Sequence, residues 1–236
     1  MINGLYSSAS ALDVLAQQQE AIASNLAHLN TPGHRRMIFA FKQATSGGES
    51  TRVQPGTRVD IKTADFSPGK MQQTGRNLDI ALRGDGFFVY QGAGGPIYSR
   101  NGVLILDPQT KQLVNGDGFP LLDDSNSPLA LDSELTDLAV AFDGTLTNNG
   151  QQIGKIAVVT FDNVRLLESE NQTYFRAGQA TPSPATEFSI VQGFRELSNA
   201  SPITELIALI AGSRSFEASQ RAIRMIADSL QEQTRS

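Results

Sequence analysis

"NLAHLNTPGHRR", residues 25–36, stops a long helical pattern and follows the stop with paired arginines at 35 and 36. Pro32 removes a backbone donor and disfavours helix at Thr31, while Gly33 accepts the left-handed geometry of an exit turn. Upstream, Ile2, Leu5, Ala9, Leu12, Ala16, Gln19, Ala23 and Leu26 fall at alternating steps of three and four, the spacing of a helix that packs lengthwise on another. Leu15, Ile22 and Leu29 add a second row, making an apolar face broader than one two-stranded seam requires. A helix over 2–29 is therefore predicted, with a partner that must come from elsewhere in the chain.

The helical period returns only after "RELSNASP". Leu206, Ser213, Gln220 and Ala227 form one seven-residue row, and Leu209, Phe216, Ile223 and Leu230 form another beside it. Glu217 with Arg221 and Arg224 with Asp228 are helical pairs of modest worth on an exposed face. Matched rows at the two ends predict terminal helices lying side by side. Polar Gln19 and Gln220 on the seam and few large apolar side chains make an isolated pair marginal, so stable helices would need neighbouring copies of the chain.

Between the ends the period changes. Residues 44–60, "ATSGGESTRVQPGTRVD", show little periodicity and read as linking chain. In "NLDIALRGDGFFVYQ" (77–91), Leu78, Ile80 and Leu82 alternate, Gly84-Asp85-Gly86 makes a turn, and an aromatic strand follows. Asn101-Gly102, Asp107-Pro108 and Asn115-Gly116 punctuate further short strands, and "GKIAVVTFDN" (154–163) adds another. Thr181-Pro182-Ser183-Pro184 reads as an exit linker. The predicted fold class is α+β: long N- and C-terminal helices packed together as an axial coiled-coil domain, with a central all-β domain of short antiparallel strands. The expected divisions are 1–42 for the helix and exit turn, 43–75 for an extended linker, 76–182 for the β-domain, and 183–236 for a linker and the C-terminal helix.

Composition narrows the function. A net charge of −5 and a pI near 5.1 leave no concentrated basic surface for nucleic acid. With no cysteine, disulfides and thiolate metal sites are excluded. The first residues lack a basic n-region and "AQQQE" (16–20) interrupts the apolar run, so neither a cleaved secretory signal nor a membrane span is expected. The two histidines, His28 and His34, both sit at the helix exit, and no Gly-x-Ser-x-Gly or His-Glu-x-x-His arrangement occurs; an enzyme is not expected, and no catalytic, cofactor or metal residue is nominated. "GDGFF" lacks the third glycine of a dinucleotide fingerprint, and "DDSNS" (123–127) lacks the glycine and distal glutamate of an EF-hand loop. Asn171-Gln-Thr and Asn199-Ala-Ser match glycosylation sequons too short to carry weight.

Several stretches, taken in order over nearly the whole chain, resemble the flagellar axial proteins that build the bacterial rod and hook. "SNLAHLNTPGHRR" (24–36) is similar to the signature that follows the family's first helix, although His28 and His34 stand where asparagine and Phe or Tyr are usual. "GRNLDIALRGDGFFVY" and "YSRNGVLILD" resemble its central β motifs, and "LSNASPITELIALIAGSRSFEASQRAI" its C-terminal signature ending in Arg-x-Phe/Tyr-Glu. "FSPGKMQQTGRNLDIAL" and the short linker before it are more similar to the proximal rod proteins than to the distal one. The resemblance implies a structural subunit of the basal-body rod, the drive shaft between motor and hook. Such a subunit would pass without a cleaved signal peptide through the flagellar export apparatus to a periplasmic rod. Its implied partners are copies of itself and other rod proteins, with no nucleic acid, small-molecule substrate or direct membrane insertion. The expected assembly interface comprises Leu5, Leu12, Leu15, Ile22, Leu26, Leu206, Leu209, Arg214, Phe216, Glu217, Ile223 and Leu230. The exit-turn signature comprises Asn25, Thr31, Gly33 and Arg35, expected to act as a hinge between an inner helical and an outer β layer. The alternatives are a hook-type axial protein, for whose large outer domains the chain lacks room, and a monomeric β-domain binding module on a closed two-helix stalk. A closed stalk should avoid Ser213 and Gln220 at inward positions, whereas a shared tube can pair them across subunits.

Overall fold

The computed structural model describes residues 2–43, 57–131, 136–171 and 173–233, with side chains described over 10–39, 63–131, 136–171 and 173–228. The chain forms two units, one of Met1–Ala27, Arg36–Asp65 and Ala200–Ser236, the other of His28–Arg35 and Phe66–Asn199.

In the first unit, helix α1 (Ile2–Ala27) packs on helix α2 (Pro202–Gln233) and on an antiparallel hairpin of β1 (Met37–Gln43) and β2 (Thr57–Ala64). Gln19 lies beside Gly212, where a Cβ would stand 3.5 Å from the glutamine Cγ. The face that α1 buries is Val14, Ala21, Ile22 and Asn25. Ala16 and Ala23, from the seven-residue row read as the helix seam, are exposed. The hairpin explains the difference, because it covers part of the helix and rotates the shielded face away from the row that α2 alone would select.

Among the described residues the second unit is antiparallel β apart from a short 3-10 helix at Val164–Leu166. Its largest sheet has six strands in the order β13 (Glu168–Ser169), β14 (Tyr174–Arg176), β6 (Gly95–Ser99), β5 (Phe87–Gly92), β12 (Val158–Phe161) and β15 (Pro182–Pro184). A three-stranded sheet places β10 (Thr145–Asn148) between β11 (Gln151–Lys155) and β9 (Leu138–Val140). Three pairs complete the unit: β4 (Ile80–Gly84) with β16 (Phe188–Gln192), β3 (Met71–Gln73) with β17 (Phe194–Glu196), and β7 (Leu104–Leu106) with β8 (Leu113–Asn115). Inward residues of these strands close one core that includes Ile80, Leu82, Phe88, Tyr90, Ile97 and Ile190, joined by Leu121 from an isolated bridge to Tyr90.

Two stretches read as linkers carry strands. Within 43–75, β2 and β3 are paired strands, while 44–56 lie outside the described residues. Within the stretch after 182, β16 and β17 are paired, and Ile190 is fully buried in the core. The prolines account for the difference. Pro182 and Pro184 sit in β15, which pairs only with β12 and so needs no amide donor on its open side.

Candidate functional site

The exit turn follows α1 directly. Thr31 N–H donates to the His28 carbonyl (3.1 Å) and His34 N–H to the Thr31 carbonyl (3.3 Å), while Gly33 takes φ +71°. A Cβ at Gly33 would come within 2.3 Å of the Asn101 amide nitrogen, so both the backbone conformation and the close approach require glycine. Gly33 N–H donates to the Glu196 carbonyl (2.8 Å), and His34 Nδ1 lies 3.0 Å from Ser198 Oγ with its ring stacked on His28. Burial first, then the neighbouring His28 and Arg35 charges, hold the His34 pKa down at about 4.

The arginine pair is then divided between two buried glutamates. In the second unit, Arg35 is buried and Nη2 donates to Glu196 Oε1 (2.8 Å), which also accepts from Gly69 N–H (2.8 Å). Arg100 Nε stands 3.0 Å from Glu196 Oε2, a second charge contact on the same carboxylate. Arg100 donates its other nitrogens to the Gly86 and Gly84 carbonyls, both at 2.8 Å, and so ties the Gly-Asp-Gly turn to the cluster. Burial lowers the Arg100 pKa, against the opposing pull of the Glu196 carboxylate.

In the first unit, Glu205 is fully buried in the first turn of α2, where a carboxylate suits the helix dipole. It accepts from Arg36 Nε and, at 3.3 Å, from Asn25 Nδ2. Asn25 also exchanges hydrogen bonds with the Met37 backbone, donating to its carbonyl (3.1 Å) and accepting from its amide (2.8 Å). Neighbouring arginines thus face different units, each neutralised by a glutamate from the C-terminal third of the chain. Sequence reasoning nominated Asn25, Gly33 and Arg35 but missed Glu196, Glu205 and Arg100. Isolated polar residues carry no periodicity to mark them as inward-facing.

The remaining nominated residues are scattered in exposure. On α1, Leu12, Leu15 and Leu26 are half-buried and Ile22 is buried within its own unit. On α2, Leu209, Phe216 and Ile223 are half-buried, whereas Leu206, Arg214 and Glu217 are exposed. Thr31 is half-buried, and the side chains of Leu5 and Leu230 lie outside the described residues. Ile203, Leu206, Ile207 and Ile210 leave large apolar side chains open along one part of α2. Among the described residues no cluster of His, Asp or Glu could hold a metal ion, and no helix is long and apolar enough to cross a membrane.

Three family models match the chain: "Flagella basal body rod protein" over 5–35, "Flagellar hook protein FlgE/F/G D1 domain" over 81–148, and "Flagellar basal body rod FlgEFG protein C-terminal" over 191–235. The chain is 31% identical to flagellar basal-body rod protein FlgF of Caulobacter vibrioides, over 92% of the chain and 90% of the relative. It is 28% identical to FlgF of Escherichia coli, covering 97% and 95% of the two chains. Against flagellar basal-body rod protein FlgG of Bacillus subtilis it is 28% identical, covering 98% of each.

Proposed function

From the premise that this chain belongs to the flagellar basal-body rod protein family, as a structural subunit of the basal body and not an enzyme, we propose that it polymerises through its terminal helices. The observation that carries this reading is the apolar stretch Ile203, Leu206, Ile207 and Ile210, with Met225 further along α2, all more than 45% exposed. Contiguous apolar surface on a helix calls for a cover, and in a rod the supply is other copies and other rod proteins. Leu5, Leu12, Leu15 and Leu26 on α1, with Leu209, Arg214, Phe216, Glu217, Ile223 and Leu230 on α2, extend that assembly face in an axial coiled-coil layer. Ile22, already buried, supports the face from behind. The domain plan is an axial layer from the ends of the chain and an outer β layer between them, with Asn25, Thr31, Gly33 and Arg35 setting the chain's exit from one to the other. The protein crosses to the periplasm through the flagellar export apparatus and takes the proximal position of the rod.

The test uses cells lacking the native protein. Leu206→Ser with Ile210→Ser, exposed positions whose replacement leaves the fold intact, should yield soluble subunit that is exported but absent from purified basal bodies, with motility lost. Phe216→Ala should weaken incorporation in the same assay. Normal basal bodies and motility in both strains would overturn polymerisation through α2.

A further inference from the structure

The second unit contains a cavity of about 200 Å³ that the assembly reading does not use. Arg35, Arg100, Phe66, Phe87, Phe161 and Val164 line it, with the exposed Asp85 among its wall residues. We propose that this cavity is a binding site for a carboxylate.

The charge balance is the first reason. Arg35 and Arg100 bring two guanidinium groups into a buried cluster whose only buried anion is Glu196. A guanidinium does not shed its proton to escape burial. Counting buried groups alone, one positive charge is in surplus; the exposed Asp85 at the wall acts on Arg100 through solvent and offsets only part of it, which leaves room for a monoanion. A phosphate dianion would overshoot.

The second reason is an unfilled set of donors. Arg35 is 1% exposed, and among the described residues its Nε and Nη1 have no hydrogen-bond acceptor. Glu196 does not serve them: Oε1 accepts from Arg35 Nη2 and Gly69 N–H, and Oε2 lies on the Arg100 side of the carboxylate. Arg100 has committed both terminal nitrogens to the Gly84 and Gly86 carbonyls. A buried charged donor left open is costly, so a group that brings acceptor oxygens to Arg35 gains more there than at the surface.

The walls define the rest of the ligand. Phe66 and Phe87 meet edge to face, as do Phe87 and Phe161, so the cavity offers ring surface beside the guanidinium. Its volume holds a carboxylate on a short apolar stem and is too small for a nucleotide. Asp85 makes no close ion pair with either arginine among the described residues but acts on Arg100 through space, and its charge opposes an incoming anion. Two sources share this chemistry: a free short-chain acid, or an acidic side chain of a second copy of the chain. The site does not depend on the rod assignment.

The experiment is titration of the full chain with sodium acetate against sodium chloride at equal ionic strength, following the Arg35 Nε–H resonance by NMR. Acetate should give a saturable shift at concentrations about tenfold below any chloride response. Val164→Phe, which fills the cavity and keeps both arginines, should abolish the acetate shift while urea unfolding confirms an intact unit. Asp85→Asn should tighten binding. Equal responses to acetate and chloride, no response in the folded wild type, or an undiminished response in Val164→Phe would each overturn the proposal. Sedimentation in the same two salts separates the sources: acetate-specific loss of self-association assigns the carboxylate to a neighbouring copy, and unchanged association alongside the NMR shift assigns it to a free acid.

Discussion

The β unit and helix α2 bury opposite kinds of side chain. The β unit closes on Ile80, Leu82, Phe88, Tyr90, Ile190 and their neighbours, all nearly inaccessible to water. Along α2, among the described side chains, the fully buried one is the carboxylate of Glu205, while Ile203, Ile207 and Met225 stand open. The first region has satisfied its hydrophobic demand within one chain. The second has used its own chain mainly to settle a charge, and its apolar surface remains available to others.

The sharpest way to break that contrast is Phe88→Ala. Phe88 is fully buried, so truncation should lower the stability of the β unit by about 3–5 kcal/mol in urea titration followed by tyrosine circular dichroism. A loss below about 1 kcal/mol would mean that the β core is not self-sufficient.

The two glutamates provide the next comparison. Glu196→Gln strands Arg35 and Arg100 in the interior and should cost about 3 kcal/mol. Glu205→Gln should cost nearer 1 kcal/mol, because Arg36 is 32% exposed and can turn to water. Equal losses would show that both ion clusters are equally enclosed.

His34 adds a pH test of the exit turn. The unfolded chain takes up a proton near pH 6.5, whereas the folded chain resists until about pH 4, so stability should fall as pH drops through that window and level off below it. His34→Gln should flatten this dependence in urea titrations run across the window. An unchanged slope would place the titration on another group.

The smallest effect sharpens the other side of the comparison. Leu206→Ala should shift monomer stability by no more than about 0.5 kcal/mol, since the side chain is already 47% exposed. A larger loss in a demonstrated monomer would mean that α2 is covered within its own chain.

These differences also decide what could be read from the residues alone. The hairpin of β5 and β6 was legible because the aromatic run Phe87 to Tyr90, buried on both faces, follows directly on the Gly-Asp-Gly turn that announces its start. The Pro32-Gly33 stop was legible for the same reason: local backbone chemistry fixes it. β16 was not, because Ile190 follows prolines that signal a linker unless the strand is known to lie at an edge. The arginine clusters were illegible in a stronger sense. Glu196 reaches Arg35 across most of the chain, and no short-range pattern encodes which carboxylate will be enclosed.

The two ends of the six-stranded sheet govern what the protein does when crowded. An open strand edge is a template for sideways addition of any extended chain, and a subunit made in quantity for assembly meets many copies of itself. Here one edge is β13, only two residues long and carrying Glu168, and the other is β15, with Pro182 and Pro184 in place of amide donors. Neither can propagate a ladder. Growth of this sheet by β-addition into fibres is thereby blocked at both of its margins, a protection that matters most where copies are concentrated.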